Sequence, residues 1–350
     1  MKQLISEKTV NFIVNRTTMV RACLFGGAMG DALGAEIEFW SLEKIRARFP
    51  DGLTAMPAHD GRVGSITDDT QMVLFTAEGL IRAMVRAEDR GICAPEAVVH
   101  HALMRWYRTQ GGTPAMKICD VGLIGDARLR KRRAPGNTCL SALGAARHFG
   151  DVARNDSKGC GTIMRVAPCA LIASDAQQAE RLARDTSALT HGHVLGQEAA
   201  IAFARILFEV MHGATLERAV EAVRLSRPIM EALDFAMTAP ACGSPERVQR
   251  LGGGWVAEEA LAIAVYSARV ARDVTHGLQI AVTHSGDSDS TGAMAGNLLG
   301  LLHPTDVLRH EWRSELECTD LIDRIARDLA RAGDPAGRIA DDLRIQYPGF

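Results

Sequence analysis

The spacing of apolar residues is the feature that most constrains the fold of this chain. Apolar residues recur about every three to four positions along most of the sequence, whereas alternating apolar and polar residues are hard to find. The first pattern is typical of amphipathic helices and the second of half-buried strands. Aromatic residues make up only 5% of the chain and β-branched runs are scarce, which further disfavours sheets. The sequence therefore predicts an all-α fold.

The chain is long enough for a sizeable core: it has 350 residues, 47% of them hydrophobic. The predicted helices span 18–33, 41–48, 69–90, 94–108, 138–149, 162–173, 175–188, 194–212, 215–234, 256–272, 275–284, 290–302 and 319–331. No composition shift or repeat marks a boundary, so we expect one compact multi-helix domain at 18–350. Residues 1–17 form a separate N-terminal extension, whose apolar residues could dock on this domain or on a partner.

Charge and cysteine usage disfavour several classes of protein. The net charge of −2 argues against a nucleic-acid partner, although residues 128–133 (RLRKRR) form a local basic run that we interpret as a solvated loop or helix end. The eight cysteines are irregularly spaced without a C-x-x-C pair, which is typical of a reducing compartment. Neither a secretory signal nor a membrane span is evident. We therefore expect a cytoplasmic protein.

Two adjacent carboxylates stand at the predicted start of a helix in GSITDDTQM, residues 64–72. Asp68 and Asp69 are flanked by the hydroxyls of Thr67 and Thr70, and an apolar helical pattern follows at once. One interpretation is structural, because Thr67 or Asp68 could cap the helix and acids favour a helix N-terminus. The other interpretation is a set of ligands for a cation.

A second acidic loop precedes a predicted helix in HSGDSDSTGAMAGN, residues 284–297. Asp287 and Asp289 lie two positions apart, where they repel each other. One cap needs one carboxylate, whereas the two acidic loops together hold four. If the loops meet in the fold, they form an all-oxygen site that suits Mg²⁺ or Mn²⁺, and two ions would be needed to neutralise so many acids. Such ions polarise water into a nucleophile.

A third segment, FGGAMGDALGAEIEF at 25–39, carries small residues on one helical face, which allows close helix packing. It is not a phosphate-binding P-loop, because no Gly-Lys-Ser/Thr sequence follows. Asp31 lies within the small-residue face, and an acid is costly to bury there without a partner. We expect Asp31 to reach the cation site or to hold the cation ligands through hydrogen bonds.

A glycine-rich turn and a pair of histidines complete the polar segments. The turn at 157–161, in NDSKGCGTIMRVAPCAL, opens a predicted helix where free backbone amides could bind an anion; an ordinary loop with a surface lysine is the alternative. In LTHGH, residues 189–193, His191 and His193 stand at a helix start. Each of them could be a polar cap, a core residue or a ligand.

Together these segments resemble the ADP-ribosylglycohydrolase family of all-helical enzymes. The resemblance rests on GGAMGDALG, TDDTQM, SKGCGTIMRVAP, LTHGH and HSGDSDSTGAMAGNLLG, in the order of the family and at roughly its spacing. It covers about residues 18–303, and the motifs at the two ends are highly specific. The resemblance implies a single all-α domain that removes ADP-ribose from modified proteins.

The resemblance also implies roles for individual residues. The residues that match the family's ligands for two Mg²⁺ (or Mn²⁺) ions are Thr67, Asp68, Asp69, Asp287, Asp289 and Ser290. The residues expected around the substrate are Ser157, Lys158, Gly159, Cys160 and Gly161 at the diphosphate, His191 at the distal ribose, and Asp31 as an acid behind the ligands. Glu38 matches an acidic residue that lies over the site in relatives.

The implied reaction is hydrolysis at the anomeric carbon of the distal ribose. The cations would hold the vicinal hydroxyls of this ribose, while one carboxylate activates a water and another protonates the leaving group. Asp69, Asp289 and Glu38 are the candidates, in an order that the sequence leaves open. The form SGDSDSTGAMAGNLLG resembles the bacterial branch that acts on ADP-ribosyl-arginine, but serine-linked or nucleic-acid-linked ADP-ribose stays open. The loops 109–137 and 239–254 are expected to decide the linkage.

The physiological role has two interpretations, regulation of an endogenous enzyme or immunity to an ADP-ribosylating toxin. A different class of function is a binding protein, in which residues 1–17 and the pocket block an ADP-ribosyltransferase toxin directly. A dimetal phosphoesterase is disfavoured, because TDDT and GDSDS contain no histidine.

Overall fold

Helices form almost the whole protein. A computed structural model describes residues 2–349, with side chains from residue 16 onward. Within this range the named strands are limited to a short antiparallel hairpin, β1 (Ala58–His59) with β2 (Arg62–Val63). The predicted all-α class is therefore confirmed, and the helices surround one continuous hydrophobic core.

The helices follow one another with mostly short connections. In chain order they are α1 (Lys2–Gly34), α2 (Leu42–Arg48), α3 (Asp68–Arg90), α4 (Pro95–Thr109), α5 (Asn137–Ala145), α6 (Ala167–Ile172), α7 (Ala176–Ala188), α8 (Val194–Met211), α9 (Leu216–Glu221), α10 (Arg227–Thr238), α11 (Pro245–Gln249), α12 (Ala257–Val270), α13 (Val274–Val282), α14 (Ser288–Leu302), α15 (Pro304–Arg309), α16 (Trp312–Glu315), α17 (Thr319–Ala332) and α18 (Asp341–Gln346). Short 3₁₀ helices lie at Gly122–Gly125, Ala127–Arg130 and Cys160–Arg165.

Two predicted helices are broken in the structure, and proline is a cause common to both. The helix predicted at 215–234 is two helices, α9 and α10, with Pro228 in the first turn of the second. The helix predicted at 162–173 begins as a 3₁₀ helix and continues as α6, which has Pro168 in its first turn. Proline has no N–H to donate to the preceding turn, so a continuous α-helix is disfavoured at both places.

The helices α1 and α14 cross at a very short distance. Gly26, Gly30 and Gly34 of α1 lie directly against the backbone of α14, and a Cβ added to Gly26 would lie 2.1 Å from the carbonyl oxygen of Gly296. The small-residue face thus allows the close packing expected of it. Near the same end of α1, Asp31 accepts a hydrogen bond from the amide of Thr67, so α1 contacts the starts of both α3 and α14.

The N-terminal part of α1 runs without interruption across the predicted boundary at residue 17. Arg16 is buried, and its guanidinium donates to the carbonyl oxygens of Ala330 (3.2 Å) and Leu171 (2.5 Å). The partner contact predicted for 1–17 concerns mainly residues 1–15, which lie outside the described side chains. It stays a prediction. None of the described helices is long and apolar enough to cross a membrane.

The basic run at 128–133 is largely paired with acids of the same protein. Arg128 forms ion pairs with Asp126 (2.7 Å) and Asp320 (2.6 Å). Arg133 is buried and bonds to Glu317 at 2.5 Å and to the carbonyl oxygen of Ile66 at 2.5 Å. The second contact ties the chain just before α5 to the segment that enters α3, so it helps to fix one wall of the site.

Candidate active site

The starts of α3 and α14 meet at a cavity of about 290 Å³. Thr67 caps α3, since its hydroxyl oxygen accepts a hydrogen bond from the amide of Asp69 at 3.2 Å. Asp287 caps α14 by accepting from the amide of Ser290 at 3.4 Å. The two acidic loops predicted from the sequence therefore come together, and the capping role expected for Thr67 coexists with a position beside the cavity.

Carboxylates dominate the inner wall of this cavity. Oxygens of Glu38, Asp287 and Asp289 all lie within 4.8 Å of one another. Asp68 and Asp69 line the same cavity, and Oδ2 of Asp69 is buried without a hydrogen-bond partner. No lysine or arginine of the described chain lines it. A buried group of carboxylates that lacks a neutralising side chain is a candidate metal-binding site.

Burial and mutual repulsion perturb these acids strongly. Burial, followed by repulsion from Asp287 and Asp68, raises the pKa of Glu38 to about 9. Burial, and then repulsion from Asp69, raises the pKa of Asp289 well above its ordinary value. The pKa of Asp69 rises in the same way, through burial and then repulsion from Asp68. A cation would reverse these shifts, because an adjacent positive charge favours the ionised carboxylate.

Asp31 lies behind the cavity wall and does not line the cavity. Its carboxylate accepts hydrogen bonds from the amide (3.0 Å) and hydroxyl (2.8 Å) of Thr67, and from the amide (3.2 Å) and hydroxyl of Thr70. All of these groups belong to the segment that opens α3. Asp31 thus orients the first acidic loop from behind the cavity wall, and its role behind the cation ligands stays a prediction.

The glycine-rich turn contributes only part of its predicted set to the cavity. Gly159–Gly161 line the cavity, whereas Ser157 lines an adjoining open groove of about 490 Å³. Lys158 lines neither space and forms an ion pair with Glu258. The amide of Cys160 donates to the carbonyl oxygen of Trp255 at 3.1 Å, so it is already used within the protein.

His191 reaches the cavity through a chain of buried polar groups. Arg165 donates to the hydroxyl oxygen of Thr190 at 2.8 Å, and this oxygen lies 2.8 Å from Nδ1 of His191. A guanidinium only donates, so the Thr190 oxygen accepts from Arg165; we assign the Thr190 proton to Nδ1 of His191, and in this tautomer the ring proton is on Nε2. Burial, followed by the charge of Arg165, lowers the pKa of His191 to about 3. The ring is therefore a neutral hydrogen-bond donor.

His193, the second histidine of the LTHGH motif, has a structural role. Nδ1 of His193 accepts from the amide of Leu195 at 3.0 Å, so this residue caps α8. Its side chain is not among those that line the cavity. The capping interpretation holds for His193, whereas His191 is a buried residue that lines the cavity.

An aromatic pair at the mouth of the cavity was not predicted. The rings of Phe39 and Trp255 stack with centroids 5.1 Å apart and planes inclined by 22°. Both residues line the cavity, yet 67% of Phe39 and 42% of Trp255 stay exposed. Phe39 has a positive φ of 66°, which is strained for a side chain of this size. The position of Trp255 after three consecutive glycines, beside a loop expected to decide the linkage, was the available signal.

The protein is thus an all-α domain in which the starts of α3 and α14 bring together buried carboxylates that could hold a metal ion. Residues 14–338 match the family model described as ADP-ribosylglycohydrolase, and the chain belongs to this family. It is therefore an enzyme that hydrolyses ADP-ribose linkages. Members of the family are generally metal-dependent, which agrees with the acidic group described above.

Named relatives cover most of the chain at low identity. The chain is 26% identical over 313 residues to the ADP-ribosylarginine hydrolase Tri1 of Pseudomonas putida, a match that covers 88% of this chain and 77% of the relative. It is 24% identical over 318 residues to the ADP-ribosyl-(dinitrogen reductase) glycohydrolase of Rhodospirillum rubrum, covering 88% and 92%. A solved structure titled ADP-ribosylglycohydrolase-related protein complex has the same fold, with a TM-score of 0.65, 24% identity and coverage of 91% and 99%.

Proposed function

We propose that this enzyme removes ADP-ribose from modified arginine side chains of proteins and that it requires Mg²⁺. The observation that carries the proposal is the group formed by Glu38, Asp287 and Asp289, whose oxygens lie within 4.8 Å in a cavity without a cationic side chain among the described residues. Such a group cannot stay fully ionised near neutral pH unless a cation joins it.

The cation ligands would be the oxygen atoms that surround this group. They are Thr67, Asp68, Asp69, Asp287, Asp289 and Ser290. Carboxylate and hydroxyl oxygens suit Mg²⁺, or Mn²⁺ in its place, and the number of acids favours a pair of ions. When bound, such ions polarise a water and neutralise the carboxylates. The unpartnered Oδ2 of Asp69 is the atom that most clearly fits a ligand role.

Three side chains of this protein have positions that suit them to the chemistry. Glu38 is only half-buried and precedes Phe39 at the cavity mouth, so we assign to its carboxyl group the proton that the leaving nitrogen receives. Asp69 is more deeply buried, and the oxygen of its carboxylate that does not bind the cation would accept a proton from the attacking water. His191, which carries its proton on Nε2, would donate to an oxygen of the distal ribose.

The arginine linkage is favoured by the character of the cavity mouth. The leaving group would be a planar guanidinium, which is attracted both to acids and to the faces of aromatic rings. Glu38 and the stacked pair of Phe39 and Trp255 offer these two kinds of contact side by side. The names of the relatives from Pseudomonas putida and Rhodospirillum rubrum support ADP-ribosylated proteins as the substrate class.

The decisive experiment compares two linkages with and without a divalent cation. The protein is incubated with an arginine-ADP-ribosylated and a serine-ADP-ribosylated substrate, each with Mg²⁺ and with an excess of chelator. We expect release of free ADP-ribose from the arginine-linked substrate with Mg²⁺ alone. Parallel reactions with Mn²⁺ establish whether it replaces Mg²⁺.

Two results would contradict the proposal. Release from the serine-linked substrate alone would assign a different linkage, and undiminished release with chelator would remove the metal requirement. A variant Asp69→Asn serves as the catalytic negative control. Asp51→Asn is the matched control variant, because Asp51 lies in an exposed turn and does not line the cavity.

A further inference from the structure

A buried arginine lies behind the wall of the cavity and joins two parts of that wall. Arg165 is 2% exposed and is not among the residues that line the cavity. Its Nη1 donates to the carbonyl oxygen of Gly161 at 2.5 Å. Its Nη2 donates to the hydroxyl oxygen of Thr190 at 2.8 Å and to the carbonyl oxygen of Thr186 at 3.0 Å. One side chain therefore connects the glycine-rich turn to the segment that carries His191.

The hydrogen-bond acceptors around Arg165 are neutral groups. They are two carbonyl oxygens, one hydroxyl oxygen and, at 3.8 Å, the thiol of Cys139. Burial raises the pKa of this thiol to about 11, so it is also neutral near neutral pH. A buried cation that meets only neutral acceptors is costly. A lysine would carry the same charge on one nitrogen, without the planar fork that reaches acceptors on two sides.

The ring of His191 packs against the same glycine-rich turn. A Cβ added to Gly161 would lie 3.0 Å from Cε1 of this ring, and a Cβ added to Gly159 would lie 3.4 Å from Nε2. On the other side of the ring, Nδ1 lies 2.8 Å from the hydroxyl oxygen of Thr190. His191 is only 1% exposed, and no described residue forms a hydrogen bond with its Nε2. Nε2 is therefore the ring atom left for a ligand in the cavity.

We propose that Arg165 is a positioning residue for ADP-ribose, because it fixes the glycine-rich turn and the ring of His191 relative to each other. It acts on the turn through Gly161 and on the ring through Thr190. The inference deepens the proposed function and rests on it for the identity of the ligand. Since Arg165 does not line the cavity, its replacement should weaken ADP-ribose binding and leave the proposed proton transfers nearly unchanged.

The first test observes the ring of His191 directly. The full chain is labelled isotopically at the histidine nitrogens and studied by NMR with Mg²⁺, and His191→Gln identifies the signals of this ring. We expect a protonated Nε2 and an unprotonated Nδ1 whose nitrogen shift shows an accepted hydrogen bond. Thr190→Val keeps the shape of the side chain without its hydroxyl, so Nδ1 should take the shift of a nitrogen that accepts nothing. Thr190→Ser keeps the hydroxyl and should resemble the wild type.

The second test measures binding and turnover separately. Isothermal titration calorimetry with Mg²⁺ gives Kd for free ADP-ribose, and steady-state kinetics gives KM and kcat for the arginine-linked substrate. In Arg165→Lys and Thr190→Val we expect Kd and KM to rise by roughly 5–150-fold, the range for leaving a buried hydrogen-bonding group unpaired. We expect kcat to stay near the wild type in both variants. Thr190→Ser should bind nearly as well as the wild type.

Arg16→Lys is the matched control for replacing a buried arginine. Arg16 is 4% exposed and also donates to two backbone carbonyl oxygens, but it lines a different surface pocket. This variant should lose stability and keep the wild-type Kd for ADP-ribose. Thermal unfolding reports whether each variant folds. If Arg165→Lys does not fold, the pair Thr190→Val and Thr190→Ser tests the inference.

Three results would overturn the inference. The first is a wild type in which Nδ1 of His191 carries the ring proton. The second is a folded Arg165→Lys with the wild-type Kd and the wild-type ring signals. The third is a Thr190→Ser variant that binds ADP-ribose no better than Thr190→Val.

Failure of the proposed function would look different. If the protein released no ADP-ribose from either linkage but Thr190→Val still lost affinity for free ADP-ribose, the positioning role would stand and the catalytic proposal would fall. If the arginine-linked substrate were hydrolysed with the same KM by the wild type and both weakened variants, the catalytic proposal would stand alone. A wild type that neither bound nor released ADP-ribose would remove both.

Discussion

Gly30 and Gly292 face each other so closely across the crossing of α1 and α14 that a Cβ added to Gly30 would lie 1.9 Å from the carbonyl oxygen of Gly292. The obstacle is backbone on both sides, which cannot rotate away as a side chain could. The two helices can approach this closely only because Gly30 and Gly292 have no side-chain atoms between the backbones. Because Asp31 follows Gly30, and Asp289 lies one turn before Gly292, this distance also sets the spacing of the acidic site.

Substituting Gly30 by alanine should force the two helices apart. We expect Gly30→Ala to lower the free energy of unfolding by about 1–3 kcal/mol or more, as overpacking of a rigid core does. The rate of hydrolysis should also fall, because the two acidic loops would no longer lie at the distance that the site requires. Thermal unfolding and an activity assay measure the two effects. Gly125→Ala is the control, since a Cβ there meets nothing within 4 Å; equal unfolding temperatures of the two variants would contradict the prediction.

Removing the carboxylate of Asp69 should lower the rate of hydrolysis without lowering the stability of the metal-free protein. In Asp69→Asn the rate of hydrolysis should fall by about 10²–10⁴-fold, the usual contribution of a positioned acid or base. Without metal, the variant should unfold at the same or a higher temperature than the wild type, because repulsion from Asp68 is relieved. Differential scanning calorimetry with chelator measures this. A less stable variant in chelator would show that Asp69 stabilises the fold by itself.

Binding of Mg²⁺ should depend on pH in a definite direction. The pKa of Glu38 is raised from 4.5 to about 9, so between these values the folded, metal-free chain binds more protons than the unfolded chain. Its stability in chelator should therefore fall as the pH rises through this window. A bound cation favours the ionised carboxylate, so the rise in unfolding temperature on adding Mg²⁺ should be larger at about pH 8 than at about pH 5. In Glu38→Gln, the rise in unfolding temperature on adding Mg²⁺ should differ less between about pH 8 and about pH 5.

The acid behind the cavity wall should affect metal affinity without contacting the metal. Asp31→Asn replaces an acceptor of four hydrogen bonds by an amide whose nitrogen would face the donors of Thr67 and Thr70. We expect the dissociation constant for Mg²⁺ to rise by about 10–100-fold, as is typical when such a supporting group is lost. Isothermal titration calorimetry measures it. An unchanged constant would mean that the start of α3 holds its shape without Asp31.

The aromatic pair should matter for the arginine linkage in particular. Losing one ring removes a contact worth about 0.5–2 kcal/mol to a guanidinium, so Trp255→Ala should raise KM for an arginine-linked substrate by roughly 2–30-fold. Trp255→Phe keeps a ring and should stay near the wild type. Phe235→Ala is a control for removing an exposed ring elsewhere, since Phe235 is 40% exposed. The prediction fails if Trp255→Ala and Phe235→Ala give the same KM.

The acidic loops could be predicted from the sequence because their chemistry is local. Adjacent aspartates at a helix start, as at Asp68 and Asp69, are visible without knowing the fold, and apolar periodicity places the helices that follow them. The same periodicity failed at Pro228, because an apolar pattern continues through a break that depends on a missing N–H. Helix boundaries are thus set by backbone chemistry that a count of apolar residues does not include.

Contacts between distant segments could not be predicted. Phe39 and Trp255 stack across two loops, and Lys158 is held by Glu258 instead of facing the cavity. Neither contact produces a periodic pattern in the sequence, because each depends on how segments that are distant in the chain pack together. The chain of hydrogen bonds from Arg165 through Thr190 to His191 likewise depends on how separate segments pack. Sequence motifs therefore predicted a set of residues, and the packing of the chain determines which of them line the cavity.

The origin of the site in separate parts of the chain also governs when the enzyme becomes active. Asp31 and Asp69 are made early during synthesis, whereas Asp287 emerges only after most of the chain has left the ribosome. A chain interrupted before α14 carries the acids of the first loop without those of the second, so it lacks half of the proposed cation site. Since helices form quickly and contacts between distant segments form slowly, activity in a refolding experiment should lag behind helix content. The appearance of activity would time the docking of α14 onto α1.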